Sequence, residues 1–96
     1  MKFPKLLPHR NPKYKAFIQQ QKCYVCRALP PSHHHHIFAE GVGTKCSDYE
    51  SMPLCNDHHR EFHDWGREEF AEHYGCIDYY RVITKYLEEY IEKFIV

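Results

Sequence analysis

Cys23-Tyr24-Val25-Cys26 and, twenty-nine positions further on, Cys55-Asn56-Asp57-His58 constrain this chain more than any other feature. A C-x2-C pair followed by C-x2-H has the ligand spacing of a structural zinc site. A chain of 96 residues buries only a modest core, so a metal staple is the expected remedy. The spacing predicts Cys23, Cys26, Cys55 and His58 converging from two tight turns on one Zn2+. Cys46 lies between the two pairs and is an alternative ligand, but it has no partner at C-x2-C spacing. Cys76 stands alone and reads as a small core residue.

This site leaves ligand-type residues over. His59 and His63 follow His58 directly, and His33, His34, His35 and His36 form an uninterrupted run. Residues after Leu54-Cys55 read as a helix start, with Asn56 and Asp57 at its N-terminus. At about 100° per residue, His59 and His63 share one helix face while His58 points elsewhere. One helix can therefore give His58 to the zinc and the His59/His63 pair to a second divalent metal.

The rest of the chain frames these clusters. Residues 1–13 hold three prolines and read as an extended basic arm; residues 14–96 read as a single α+β domain. Tyr14 to Gln21 is a short helix or strand, and Ala28 to Ser32 is a loop. His33 to Phe38 reads as a strand, which turns His34 and His36 to one face and His33 and His35 to the other. Glu40 to Ser51 is a loop whose glycines, Gly41 and Gly43, lack P-loop spacing. Gly66 interrupts the histidine helix, and Arg67 to Tyr74 forms another that Gly75 ends. Asp78 caps a final helix reaching Ile95, with Ile83, Leu87, Tyr90, Ile91 and Phe94 as its apolar stripe.

The net charge of zero hides an asymmetry. Residues 1–39 contain seven Lys/Arg and no acid; all thirteen acids lie in residues 40–96. A basic front half points to nucleic acid, with a solvated arm as the alternative. No apolar run approaches the length of a membrane span. The first residues carry prolines and charges where a signal peptide needs an apolar run, so an intracellular protein is expected. In a reducing compartment the cysteines read as metal ligands and free thiols.

Taken together, His35-His36-Ile37, the glycine-containing loop and Pro53-Leu54-Cys55-x2-His58-His59-x3-His63 resemble the HNH endonucleases of the ββα-metal, treble-clef type. The likeness covers about residues 20–75 and is greatest to small phage and prophage HNH proteins, including the Ref-type recombination-enhancement nucleases. It implies a zinc-stapled ββα-metal domain that hydrolyses phosphodiester bonds in DNA. Cys23, Cys26, Cys55 and His58 match the structural zinc ligands, and His36 matches the general base. His35, His59 and His63 match the positions that hold the catalytic ion, which would be Mg2+, Mn2+, Ni2+ or Zn2+. The family's central Asn has no counterpart between Cys46 and Pro53; Asp48 takes its role in this reading, with Glu50 and Ser51 as alternatives. Lys22, Arg27 and Lys45 are the expected nucleic-acid contacts. A recombination or phage protein is the implied partner, and the chain is expected to be a monomer or weak dimer. The alternative is a non-catalytic zinc module that binds nucleic acid or protein.

Overall fold

Local sequence sets the first helix. Asn11 accepts a hydrogen bond from the Tyr14 amide at 3.1 Å and caps helix α1, Pro12–Gln19, with proline at a first-turn position where its missing N–H costs nothing. The computed structural model describes residues 10–38 and 47–95. After α1 come strands β1, His33–His36, and β2, Ser51–Leu54, then helices α2, Asn56–Trp65, α3, Arg67–His73, and α4, Tyr79–Phe94. The described residues form a small α+β unit with a two-stranded antiparallel sheet and four helices.

The sheet runs in continuous register, with His33 opposite Leu54, His34 opposite Pro53, His35 opposite Met52 and His36 opposite Ser51. All four β2 residues are buried, whereas β1 has one buried residue, His35. β2 is thus the inner strand and β1 the outer one that presents the histidines. The Tyr24 amide donates to the Pro53 carbonyl at 2.9 Å, which fastens the first cysteine turn to β2. Cys55 follows β2 directly and serves as N-cap of α2, so the second pair of predicted zinc ligands is held by the strand-to-helix junction.

Tyr14, Phe17 and Ile18 of α1 meet Met52 and Leu54 of β2, Phe62, Phe70 and a row from α4 in one core. Much of it is aromatic: Tyr90 packs edge-on against Tyr14 and Phe17, with ring centres 5.0 and 5.4 Å away. Among the described residues no helix is long and apolar enough to cross a membrane.

Several expectations need correction. Pro12 and Lys13, assigned to the arm, belong to α1, and residues 1–9 lie outside the described residues. Cys76 is exposed in a left-handed conformation (φ 58°), not a core residue. The stripe of α4 is rotated. Val82, Ile83, Tyr86 and Tyr90 are buried together with Tyr79, Leu87 is half-buried, and Ile91 and Phe94 are 44% and 48% exposed. Ile83 and Tyr90 of the expected stripe are buried, and its Ile91 and Phe94 end gives way to Val82 and the large ring of Tyr86. Lys45, Cys46, Gly41 and Gly43 lie outside the described residues.

Tyr86→Ala is expected to cost about 3–5 kcal/mol in denaturant unfolding, as for other buried aromatic truncations. Ile91→Ala should change stability by less than about 1 kcal/mol, as at exposed positions generally. Equal effects of the two would contradict the rotated face.

Candidate metal centre and its neighbouring histidines

The two cysteine turns meet. The ligand atoms of Cys23, Cys26, Cys55 and His58 all lie within 4.8 Å of one another. Cys26 Sγ is 3.8 Å from Cys55 Sγ, and Cys23 Sγ is 3.6 Å from His58 Nδ1. The edges of a tetrahedron with zinc–sulfur and zinc–nitrogen arms are about 3.8 and 3.6 Å, so these separations fit an enclosed ion. Cys55 Sγ and His58 Nδ1 are closer, at 3.1 Å.

The electrostatics favour a cation too. Burial raises the Cys23 thiol, but the amides of Cys26, Cys55 and Val25 outweigh it and bring the pKa down to about 7. Cys55 is raised, first by burial and then by its cysteine neighbours. One thiolate thus opposes the next, and a divalent ion removes that conflict. His58 turns Nδ1 to the sulfurs, while its Nε2 lies 3.9 Å from the Glu61 carboxylate, which also accepts from the Tyr74 hydroxyl. A carboxylate behind a ligating imidazole favours the tautomer with Nδ1 as the donor atom.

A second group forms on the other side of α2. His59 and His63 share a face, their Nε2 atoms 3.2 Å apart. His35 of β1 points at them, its ring centre 5.0 Å from that of His59 and 5.3 Å from that of His63. The three side chains each offer a ligand atom within the same 4.8 Å limit. His35 Nε2 is buried with no hydrogen-bond partner among the described residues. An orphaned buried nitrogen is costly, and a cation gives it a partner. Burial, with the neighbouring imidazoles adding to it, lowers His35 to about 3 and His59 to about 4. Both therefore present lone pairs at neutral pH. His33 stacks on His59, ring centres 4.6 Å apart, and bonds Asn56 through Nε2 at 2.8 Å.

The opposite face of β1 carries a third group, His34, His36 and Asp48. The strand has no bulge to turn His36 toward His35, so the two rings leave β1 on opposite faces. They nonetheless border one open cavity of about 660 Å³, which His59, His63, Trp65 and Arg67 also line. Asp48 is 5% exposed. Its Oδ1 accepts from His36 Nε2 at 3.1 Å and from Arg10 Nη1 at 3.3 Å, and its Oδ2 accepts from the Asn11 amide at 2.8 Å. Burial pushes the Asp48 carboxyl up, yet the Asn11 amide, His36, His34 and Arg10 together hold it below its usual range. Its carbonyl accepts from His34 Nε2 at 2.9 Å, and burial lowers the His34 pKa. An ionised Asp48 fixes the proton of neutral His36 on Nε2 and leaves Nδ1 as the acceptor. With three donors already on its oxygens, Asp48 belongs to a hydrogen-bonded network and not to a third metal cradle.

The structure thus gathers seven expected metal ligands into two groups and sets His36 on Asp48. It does not bring Lys22 and Arg27 to the imidazole cavity; they line a separate cleft with Lys85, Tyr86 and Glu89. Arg10 and Asn11 were missed as site residues. They sit 38 and 37 positions before Asp48, and no spacing motif links them to it. Glu61 was also missed, although its position three residues after His58 places it near the same helix face.

A family model described as "Protein of unknown function (DUF968)" matches residues 1–90. The chain is 36% identical over 66 residues to "Uncharacterized protein YdfU" of Escherichia coli (strain K12); the match covers 66% of this chain and 19% of that protein. The chain therefore spans a minor part of that relative's length. No solved structure matches.

Two outcomes are expected. Chelation, or Cys55→Ser, should remove most of the helical circular dichroism, because metal binding at a Cys3His cluster is coupled to folding. At the imidazole trio, protons should compete with a bound metal at His35 and His59 only as the pH nears about 4, well below the ordinary 6.5. Titration calorimetry with Ni2+ on protein whose cysteine cluster already holds zinc, at pH 7 and 5.5, should then show less than the affinity loss that two ordinary imidazoles at His35 and His59 would give. A loss of that full size would contradict the depressed pKa values.

Proposed function

The chain belongs to the DUF968 family, and on that premise we propose that it is a metal-dependent HNH-type endonuclease that hydrolyses phosphodiester bonds in DNA. The family description names no activity, so the reading rests on the site. What carries it is the pairing, in one open cavity, of an imidazole trio with an orphaned His35 Nε2 and a solvent-reaching His36 braced by Asp48.

Each group has a task in this chemistry. Cys23, Cys26, Cys55 and His58 would hold a Zn2+ and so tie the β2–α2 junction to the first cysteine turn. His35, His59 and His63 would hold a second divalent ion, which would supply positive charge to phosphate oxygens. All-imidazole ligation suits Ni2+ or Zn2+ better than Mg2+ or Mn2+, which prefer oxygen donors. His36, 31% exposed at its side chain, takes a proton from water through Nδ1 as general base. Asp48 keeps the ring oriented and its proton on Nε2, which is the service an Asn carbonyl would give. The basic front half of the chain contributes attraction to the nucleic-acid backbone.

The test is DNA cleavage across Ni2+, Zn2+, Mn2+ and Mg2+. His36→Ala should lower the rate by about 10²–10⁴ while metal affinity persists, as expected for loss of a general base. His59→Ala should weaken binding of the second metal in calorimetry. Protein that binds two ions per chain and DNA, yet cuts with none of these metals, would instead be the non-catalytic zinc module.

A further inference from the structure

Asp48 raises a difficulty within the endonuclease reading. A carboxylate and an amide carbonyl are equivalent as acceptors for an imidazole N–H, but the carboxylate carries a full negative charge. Here that charge lies 3.1 Å from His36, and His36 lines the cavity that must admit an anionic phosphodiester. A buried carboxylate is poorly screened, so an uncompensated Asp48 would work against the substrate.

The chain provides compensation from a distant segment. Arg10 Nη1 lies 3.3 Å from Asp48 Oδ1, the same oxygen that receives His36. Oδ2 takes the Asn11 amide. The Asn11 side chain meanwhile caps α1 and donates to the Tyr49 hydroxyl at 2.8 Å. The start of α1 is thereby anchored to the 48–49 turn, and chain connectivity delivers Arg10 to the carboxylate. Arg10 is half-exposed at its side chain while Asp48 is nearly enclosed, so the arginine bears the solvent-facing side of the pair.

We propose that Arg10 is a positioning residue for the cleavage reaction: it cancels the charge of Asp48, so that the pair acts on His36 as a neutral acceptor does. This inference rests on the endonuclease reading. It makes the start of α1 part of the site, and it accounts for how Asp48 serves where the HNH pattern has Asn. The geometry also makes Arg10, not a third metal ion, the cation of the His34/His36/Asp48 group.

The experiment compares cleavage rate and KM for the wild type, Arg10→Ala, Arg10→Lys, Asp48→Asn and Arg10→Ala/Asp48→Asn, each loaded with zinc and the active second metal. Arg10→Ala should slow cleavage about tenfold or more, a modest part of the general-base contribution. Arg10→Lys keeps the charge and should recover most of that loss. The decisive variant is the double one: removing the carboxylate charge should make Arg10→Ala/Asp48→Asn cut faster than Arg10→Ala, a non-additivity expected of coupled charges. Thermal melts of the five proteins establish that each is folded, and Arg10→Lys carries the test if Arg10→Ala is not. A double variant no faster than Arg10→Ala overturns the inference; so does an Arg10→Ala that cuts as fast as the wild type. An Arg10 that only gripped DNA would show a raised KM that Asp48→Asn does not relieve, which also overturns it. If the wild type itself fails to cut, the endonuclease reading falls and this inference with it, an outcome separate from all the others.

Discussion

Three thiols and an imidazole brought within 4.8 Å of one another are the constraint on which the rest depends. Without a cation, that gathering sets thiolates against each other inside a small protein. With one, the same repulsion becomes attraction to a common centre. The elements that present the clustered histidines are attached to this point. β2 ends at Leu54 and α2 begins at Asn56 with Cys55 between them, β1 pairs with β2, and the Cys23–Cys26 turn is bonded to β2 through Tyr24 and Pro53. The second imidazole group is thus one helix face away from the staple, and its geometry is inherited from it.

The division of labour along α2 follows from helical phase. His58 turns toward the cysteines, and His59 and His63 turn toward β1. Two adjacent residues therefore serve two centres that differ in character. One is rich in sulfur and runs from buried Cys23 to exposed Cys26; the other is all imidazole and opens to a cavity.

Much of this was legible in the sequence because short-range spacing carries it. C-x2-C, C-x2-H and the i, i+4 histidines fix local geometry irrespective of tertiary context. The alternation of His34/His36 against His33/His35 likewise followed from strand geometry alone. Arg10 and Asn11 were not legible, because their contact with Asp48 depends on how α1 docks against the hairpin. The buried face of α4 was misread for a related reason. Apolar periodicity reached Tyr90, which packs against α1 as expected, but it also pointed to Ile91 and Phe94 and passed over Val82 and Tyr86. Lys22 and Arg27 show the limit of charge counting: their sign was plain, but not the face on which they would emerge.

The histidine tract has a property that its chemistry conceals. A strand in which four successive side chains are identical carries little positional information of its own; sliding it one step would still leave histidine at three of the four positions. Register must come from the flanks. Ser32 supplies one anchor, its amide to the Gln19 carbonyl and its hydroxyl to that of Gln21. Ile37 supplies the other, buried to 1% exposure with its amide on the Glu50 carbonyl. Which histidine faces α2 is therefore decided by a serine and an isoleucine that belong to neither ligand group. A lesion at either could scramble the site while leaving every ligand in the sequence.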